Sequence, residues 1–135
     1  MAGSSLDVAR AFVQRINERN VAALRALMTE DHTFTDALGR RMIGAVTMGM
    51  GWKHFFEIFP EYWIRVETEI ADGARVALFG EAGGQWKVEG QVLPGKRWKV
   101  RAAWLAEIEG GKVKTWKVYC DTGWAKPPEG AKPAS

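Results

Sequence analysis

The chain has 135 residues, 47% of them hydrophobic and 26% charged, with a formal net charge of +3. That length and mix suit one domain with its own core, and no apolar run reaches the ~18 residues a membrane span needs. One cysteine, Cys120, excludes an internal disulfide and a cysteine-based zinc site.

Residues 5–17 are predicted to form an amphipathic helix. Leu6, Ala9, Phe12, Val13 and Ile16 recur at helical spacing, with Arg10, Gln14 and Arg15 opposite. Ser4 suits the N-cap, and Asp7 in the first turn favours the positive end of the helix dipole. Asn20 suits the cap of a second, short helix that buries Ala23, Leu24, Leu27 and Met28. Residues 32–36 alternate, so His32, Phe34 and Asp36 share one side of a short strand ending near Gly39. After Gly44 a third helix is expected to run to Phe59, where Pro60 stops it. Met48, Trp52, Phe55, Phe56 and Phe59 form its apolar stripe. Gly49 and Gly51 inside it mark either a close approach or a later helix start.

Four strands are expected next, over residues 62–71, 74–88, 97–109 and 112–121. Asp72-Gly73 signals a tight turn, and Gly83-Gly84 a bulge or bend. On the third of these strands Trp98, Val100, Ala102, Trp104, Ala106 and Ile108 share one face. On the fourth, Trp116, Val118 and Cys120 face inward while Lys117, Tyr119 and Asp121 face outward. Period-two burial of this kind fits an antiparallel sheet with one covered face. Helices grouped before strands make the fold class α+β. Residues 1–125 form the domain, and residues 126–135, rich in Pro, Gly, Ala and Lys, read as a disordered tail.

Lys96, Arg97, Lys99 and Arg101 read as a solvated strand face, and no nucleic-acid partner is expected. Two histidines without a cysteine cluster make no metal site. Gly49-Met50-Gly51 lacks the Lys-Ser/Thr pair of a phosphate loop, so no cofactor is expected. The N-terminus has no basic segment leading into an apolar stretch, so no secretory signal is expected and a cytoplasmic location is. The unusual count is seven Trp against two Tyr. These rings either fill the core or wall a ligand cavity.

The order helix, helix, short strand, helix, four long strands resembles the nuclear-transport-factor-2-like superfamily. That group includes ketosteroid isomerases, SnoaL-like polyketide cyclases and limonene-type epoxide hydrolases. Thr29 to Asp36 is similar to the family's acidic turn and first strand. Arg40 to Gly44 is similar to its entry into the third helix, and Phe59-Pro60-Glu61 to the motif ending that helix. The segment from Gly110 to Asp121 resembles its final hairpin. The resemblance implies a cone-shaped fold in which three helices pack on a curved, mostly antiparallel sheet and enclose a pocket.

It also implies candidate residues. Asp36 matches the general base of steroid isomerases, and an Asp turned into an apolar interior takes up protons more readily. The plainer reading of Asp36 is a cap for the turn at Gly39. His32 shares its parity, about 13 Å away along a strand, and could act with it on a ligand lying between them. His54 falls off the apolar stripe and is assigned to the surface. Phe12, Phe34, Trp52, Phe55, Trp104, Trp116 and Cys120 are the expected substrate contacts. Phe12 stands where a steroid isomerase has its tyrosine donor, and Ala103 or Trp104 where it has a protonated Asp. Arg101 is followed by Ala102 and Ala103, which breaks the Asp–Arg–Asp set of an epoxide hydrolase.

The expected function is therefore a cofactor-independent enzyme moving a proton on a hydrophobic, carbonyl-containing small molecule, as an isomerase, cyclase or lyase. The alternatives are a binding domain without chemistry, or an interaction module. A homodimer through the outer sheet face is expected, with Trp63, Arg101 and Tyr119 as contacts.

Overall fold

A computed structural model describes residues 4–88 and 91–125. Helix α1 (Ser5–Asn17) begins where Ser4 Oγ accepts from the Asp7 amide at 3.1 Å, and it buries Val8, Ala9, Phe12, Val13 and Ile16. Helix α2 (Val21–Ala26) is capped by the Asn20 side chain and buries Leu24. Strands β1 (Met28–Thr35) and β2 (Arg41–Ile43) follow, then α3 (Ala45–Ile58). The four expected strands are β3 (Trp63–Asp72), β4 (Arg75–Val88), β5 (Gln91–Glu109) and β6 (Lys112–Cys120). A 3-10 turn, Gly123–Ala125, closes the described chain. Strand β2 lies where the sequence suggested only a lead into the third helix. The proposed tail at 126–135 lies outside the described residues.

The strands form one six-stranded sheet in the order β2-β1-β6-β5-β4-β3. Its pairs are antiparallel except β1 with β6, which is parallel. The fold is α+β, with the helices packed on one face of a mostly antiparallel sheet, as expected. Helix α1 packs across β3 to β6, and α3 covers β1 and β2. The periodicity of β5 is kept, with Ala102, Trp104 and Ala106 buried against the helices. Full burial of a side chain such as Phe12 or Leu24 contributes about 1.5–3 kcal/mol each. Among the described residues no helix is long and apolar enough to cross a membrane.

Register shifts interrupt the sheet at four places among the described residues. One lies in β1, where the parallel register with β6 shifts between Met28 and Thr33. None is at Gly83-Gly84, where a bulge or bend was expected. Those residues stay in register with Lys99 and Trp98, and the other shifts fall at Val66/Thr68, Gln85/Lys87 and Glu107/Ile108. Gly83 serves close approach instead, because a Cβ there would run into the Trp63 indole and the Trp98 carbonyl.

Candidate functional site

Between α3 and the inner face of the sheet lies a cavity of ≈ 350 Å³, within the usual range for small-molecule sites. Helix α3 supplies Met48, Gly51, Trp52, His54, Phe55 and Ile58, and the sheet supplies Phe34, Met42, Trp104, Trp116 and Val118. Asp36, Ala37 and Arg40 come from the β1–β2 turn. Tyr62 and Trp124 complete the wall. The helix runs unbroken through both glycines, and Gly51 keeps the helix close to Met42, whose methyl would lie 3.1 Å from an added Cβ. The rings brace one another. Trp52 meets Phe34 and Phe55 edge-on and lies nearly flat against Phe56 at 5.4 Å.

Of the expected contacts, Phe34, Trp52, Phe55, Trp104 and Trp116 line this cavity, and Asp36 stands among them. Phe12, His32 and Cys120 do not. Phe12 is fully buried beneath α1, 4.7 Å from the Trp116 ring. It therefore supports the cavity wall from behind. Cys120 is partly buried, and burial pushes its thiol above the ordinary range, as expected of an inert sulfur. His54, assigned to the surface, is exposed and also borders the cavity.

His32 is a structural pin. It points to the inner side, as its parity required, but the shift in β1 places it under α1 against Phe12, 6.1 Å between ring centres. Its Nδ1 lies 2.8 Å from the Val113 carbonyl. A carbonyl only accepts, so Nδ1 carries the proton. Nε2 then holds a lone pair with no partner among the described residues. Burial holds His32 below its ordinary value, so the ring is neutral at neutral pH. Val113 N–H meanwhile donates to Leu27 O, and Gly44 N–H to His32 O, both at 2.7 Å. The His32 side chain and the Leu27 carbonyl thus tie this segment to Val113 of β6 where the ladder is interrupted, and the His32 carbonyl ties it to the start of α3.

Asp36 is held differently from the buried carboxylate that the sequence suggested. Its Oδ1 accepts from the amides of Leu38 and Arg40, each at 2.9 Å, and its Oδ2 from Arg40 Nε at 2.8 Å. The side chain retains 27% exposure. It thus caps the turn and also borders the cavity. A carboxylate offers about four lone-pair sites, so Oδ2 keeps one toward a ligand.

Tyr62 and Trp124 escaped the sequence reading. Tyr62 is only 6% exposed. Arg19 donates to its carbonyl at 3.0 Å, its amide donates to Phe59 O, and Phe55 meets its ring edge-on at 4.7 Å. Burial drives its phenol well above the usual range, so it stays a neutral donor. Its hydroxyl makes no hydrogen bond among the described residues. Trp124 stacks on Trp98 at 4.2 Å and 16°, on a turn fixed by Gly123 N–H donating to Asp121 Oδ1. The signal for Tyr62 was a polar-tipped ring just after the Phe-Pro helix stop. For Trp124 it was an aromatic standing between the last strand and a Pro-rich tail.

The indole nitrogens of Trp52, Trp104 and Trp116 are shut off from solvent and have no partner among the described residues, so these rings meet the cavity with their carbon surfaces. Among the described residues no cluster of side chains suits a metal ion.

The SnoaL-like domain family matches residues 9–116. The chain belongs to that family. No curated protein matches this SnoaL-like chain. Solved structures share its fold at low identity. One is a protein assigned as a SnoaL-like polyketide cyclase from Shewanella denitrificans, with a TM-score of 0.79 and 13% identity over 90% of this chain and 93% of that one. Another, from Catenulispora acidiphila, has a ketosteroid isomerase-like fold and is in complex with trimethylamine. It gives 0.74 and 19% over 84% of each chain. AclR from Streptomyces galilaeus, assigned as a hydroxylase, gives 0.72 and 15% over 90% and 91%. Likeness at this identity establishes the SnoaL-like fold and leaves the reaction open.

Proposed function

We propose that this SnoaL-like domain is a cofactor-independent enzyme that moves a proton on an apolar, carbonyl-containing small molecule. The observation that carries this reading is the joining of Asp36 and the unpaired Tyr62 phenol in one aromatic cavity. The substrate's rings or chain lie against Trp52, Phe55, Trp104 and Trp116. Asp36 Oδ2 removes a proton from the carbon next to the carbonyl. The C–H electron pair moves into the C–C bond and the carbonyl pair onto oxygen. The Tyr62 hydroxyl donates to that oxygen, as a preorganised donor does for a developing enolate. Return of the proton at another carbon completes an isomerisation. Alternatively the enolate carbon attacks a second carbonyl, whose π pair moves onto its oxygen, and that oxygen takes the proton back from Asp36 to complete an aldol-type cyclisation. Tyr62 thereby takes the part that Phe12 and Ala103 cannot.

One observation favours a second reading, binding without chemistry. Three donors already occupy the Asp36 carboxylate. Exchange of ligand C–H protons in deuterium oxide separates the two. The enzymatic reading expects catalysed exchange by the native protein, retained binding but at least about a hundredfold slower exchange in Asp36→Asn, and slowed exchange in Tyr62→Phe. Bound ligand with no catalysed exchange would leave the binding reading.

The outer sheet face fits pairing of two copies, and we place the expected homodimer there. Phe79, Ala103 and Tyr119 lie side by side across β4, β5 and β6, with Phe79 and Tyr119 exposed at 44% and 54%.

A further inference from the structure

We infer that the ligand of this cavity is an acid, carrying a carboxylate or equivalent anion at the cavity mouth and carbonyl or ether oxygens within. This rests on the reading of the cavity as a small-molecule site and names the chemical class that fits it. The argument is the imbalance of hydrogen-bonding groups in the wall. Among the described residues Asp36 is the one acid bordering the cavity, and two backbone amides and the Arg40 guanidinium already take three of its about four lone-pair sites. The other polar groups there are Arg40, His54 and the Tyr62 phenol, since the indole nitrogens are shut off from the cavity. Arg only donates, a neutral phenol readily donates, and His donates through at least one nitrogen. A ligand rich in donors would leave such a wall unsatisfied, whereas one rich in acceptors satisfies it.

The charge lies at the rim. Arg40 uses Nε for Asp36 and keeps its side chain 72% exposed. Its two terminal nitrogens have no partner among the described residues, which leaves the outer edge of the guanidinium for a bidentate carboxylate. His54 projects from α3 to the same cavity and is exposed. The interior presents the carbon surfaces of Trp52, Trp104 and Trp116 to the ligand's body, with the Tyr62 phenol as the donor for its oxygens. An anion at the rim keeps its head partly hydrated while its body is buried, which avoids the cost of a fully buried charge.

Anthraquinone-2-carboxylate and its methyl ester are suitable probes, since they share three rings and two carbonyls and differ in charge. Binding is followed by quenching of tryptophan fluorescence and by calorimetry on the full chain. The acid is expected to bind about tenfold more tightly than the ester. That advantage should shrink several-fold in His54→Gln and in Arg40→Gln, and vanish in the double variant. Lys53→Gln, a neighbouring exposed cation outside the cavity wall, should leave it intact. His54 is exposed on the helix, so its variant is expected to fold even if removing Arg40 disturbs the Asp36 turn. Equal binding of acid and ester would overturn the inference while leaving the carbonyl-binding reading in place. A preference for the acid that survives the double substitution, or is lost in Lys53→Gln, would overturn the assignment to the rim. Failure of both probes to bind would overturn this inference and the small-molecule reading together.

Discussion

Arg40 grips Asp36 from both ends of its own residue: its amide donates to Oδ1 at 2.9 Å and its Nε to Oδ2 at 2.8 Å. The Asp36 amide returns the contact to Arg40 O at 2.9 Å. The turn between β1 and β2 is thus tied by one carboxylate, and that carboxylate stands at the edge of the cavity.

Replacement of Asp36 should separate its two roles. Asp36→Ala removes the acceptor for two backbone amides and is expected to cost about 1–2 kcal/mol in urea unfolding. Asp36→Asn keeps an oxygen for both amides and loses mainly the ion pair, which is half exposed and worth about 0.2–1 kcal/mol. Equal losses in the two variants would show that the ion pair, not the turn, carries the stability. The smaller cost of the Asn variant also makes it the fitting partner for the exchange experiment.

His32 should make the domain sensitive to mild acid. In the unfolded chain its ring takes up a proton near pH 6.5, whereas burial in the fold holds that uptake to lower pH. Between those values the unfolded state binds more protons, so stability falls as pH falls. The contribution is complete above the unfolded value and is lost as pH drops through the folded one. His32→Gln should be less stable at about pH 7.5, having lost the bond to Val113, by about 1–3 kcal/mol. Its decline toward about pH 5.5 should be shallower than that of the native chain. Parallel curves for the two proteins would rule out His32 as the source of the acid sensitivity.

The outer sheet face should join two copies. Sedimentation velocity is expected to show a dimer for the native chain and a monomer for the Phe79→Glu, Tyr119→Glu pair, since facing carboxylates repel across an apolar contact. Far-ultraviolet dichroism should be unchanged, because both side chains are exposed. A native monomer, or a dimer that survives both substitutions, would place the contact elsewhere or remove it.

Much of this architecture follows from interactions a few residues long. The cap at Ser4, the stop at Pro60, the turn at Asp72-Gly73 and the alternation along β5 are local, and each appears where the residues place it. Parity alone sent Phe34, Trp104 and Trp116 to the inner face, and they line the cavity. The aromatic cavity was legible for the same reason: a strand has only two faces, and one of them was covered.

Depth along that inner face was not legible. His32 and Phe34 share a parity, yet one is sealed beneath α1 and the other faces the cavity. The shift in register between Met28 and Thr33 decides this, and it depends on pairing with a strand some eighty residues later. Tyr62 and Trp124 reach the cavity only because chain bends and ring stacking carry them there from outside the regular elements. By itself the sequence determined the fold class, the inward faces and the aromatic character of the interior, because these rest on local periodicity. Tertiary structure alone decided which inward residues meet in one space, that Asp36 is tied to Arg40, and that Tyr62 stands in the same wall as Asp36, because these rest on long-range register.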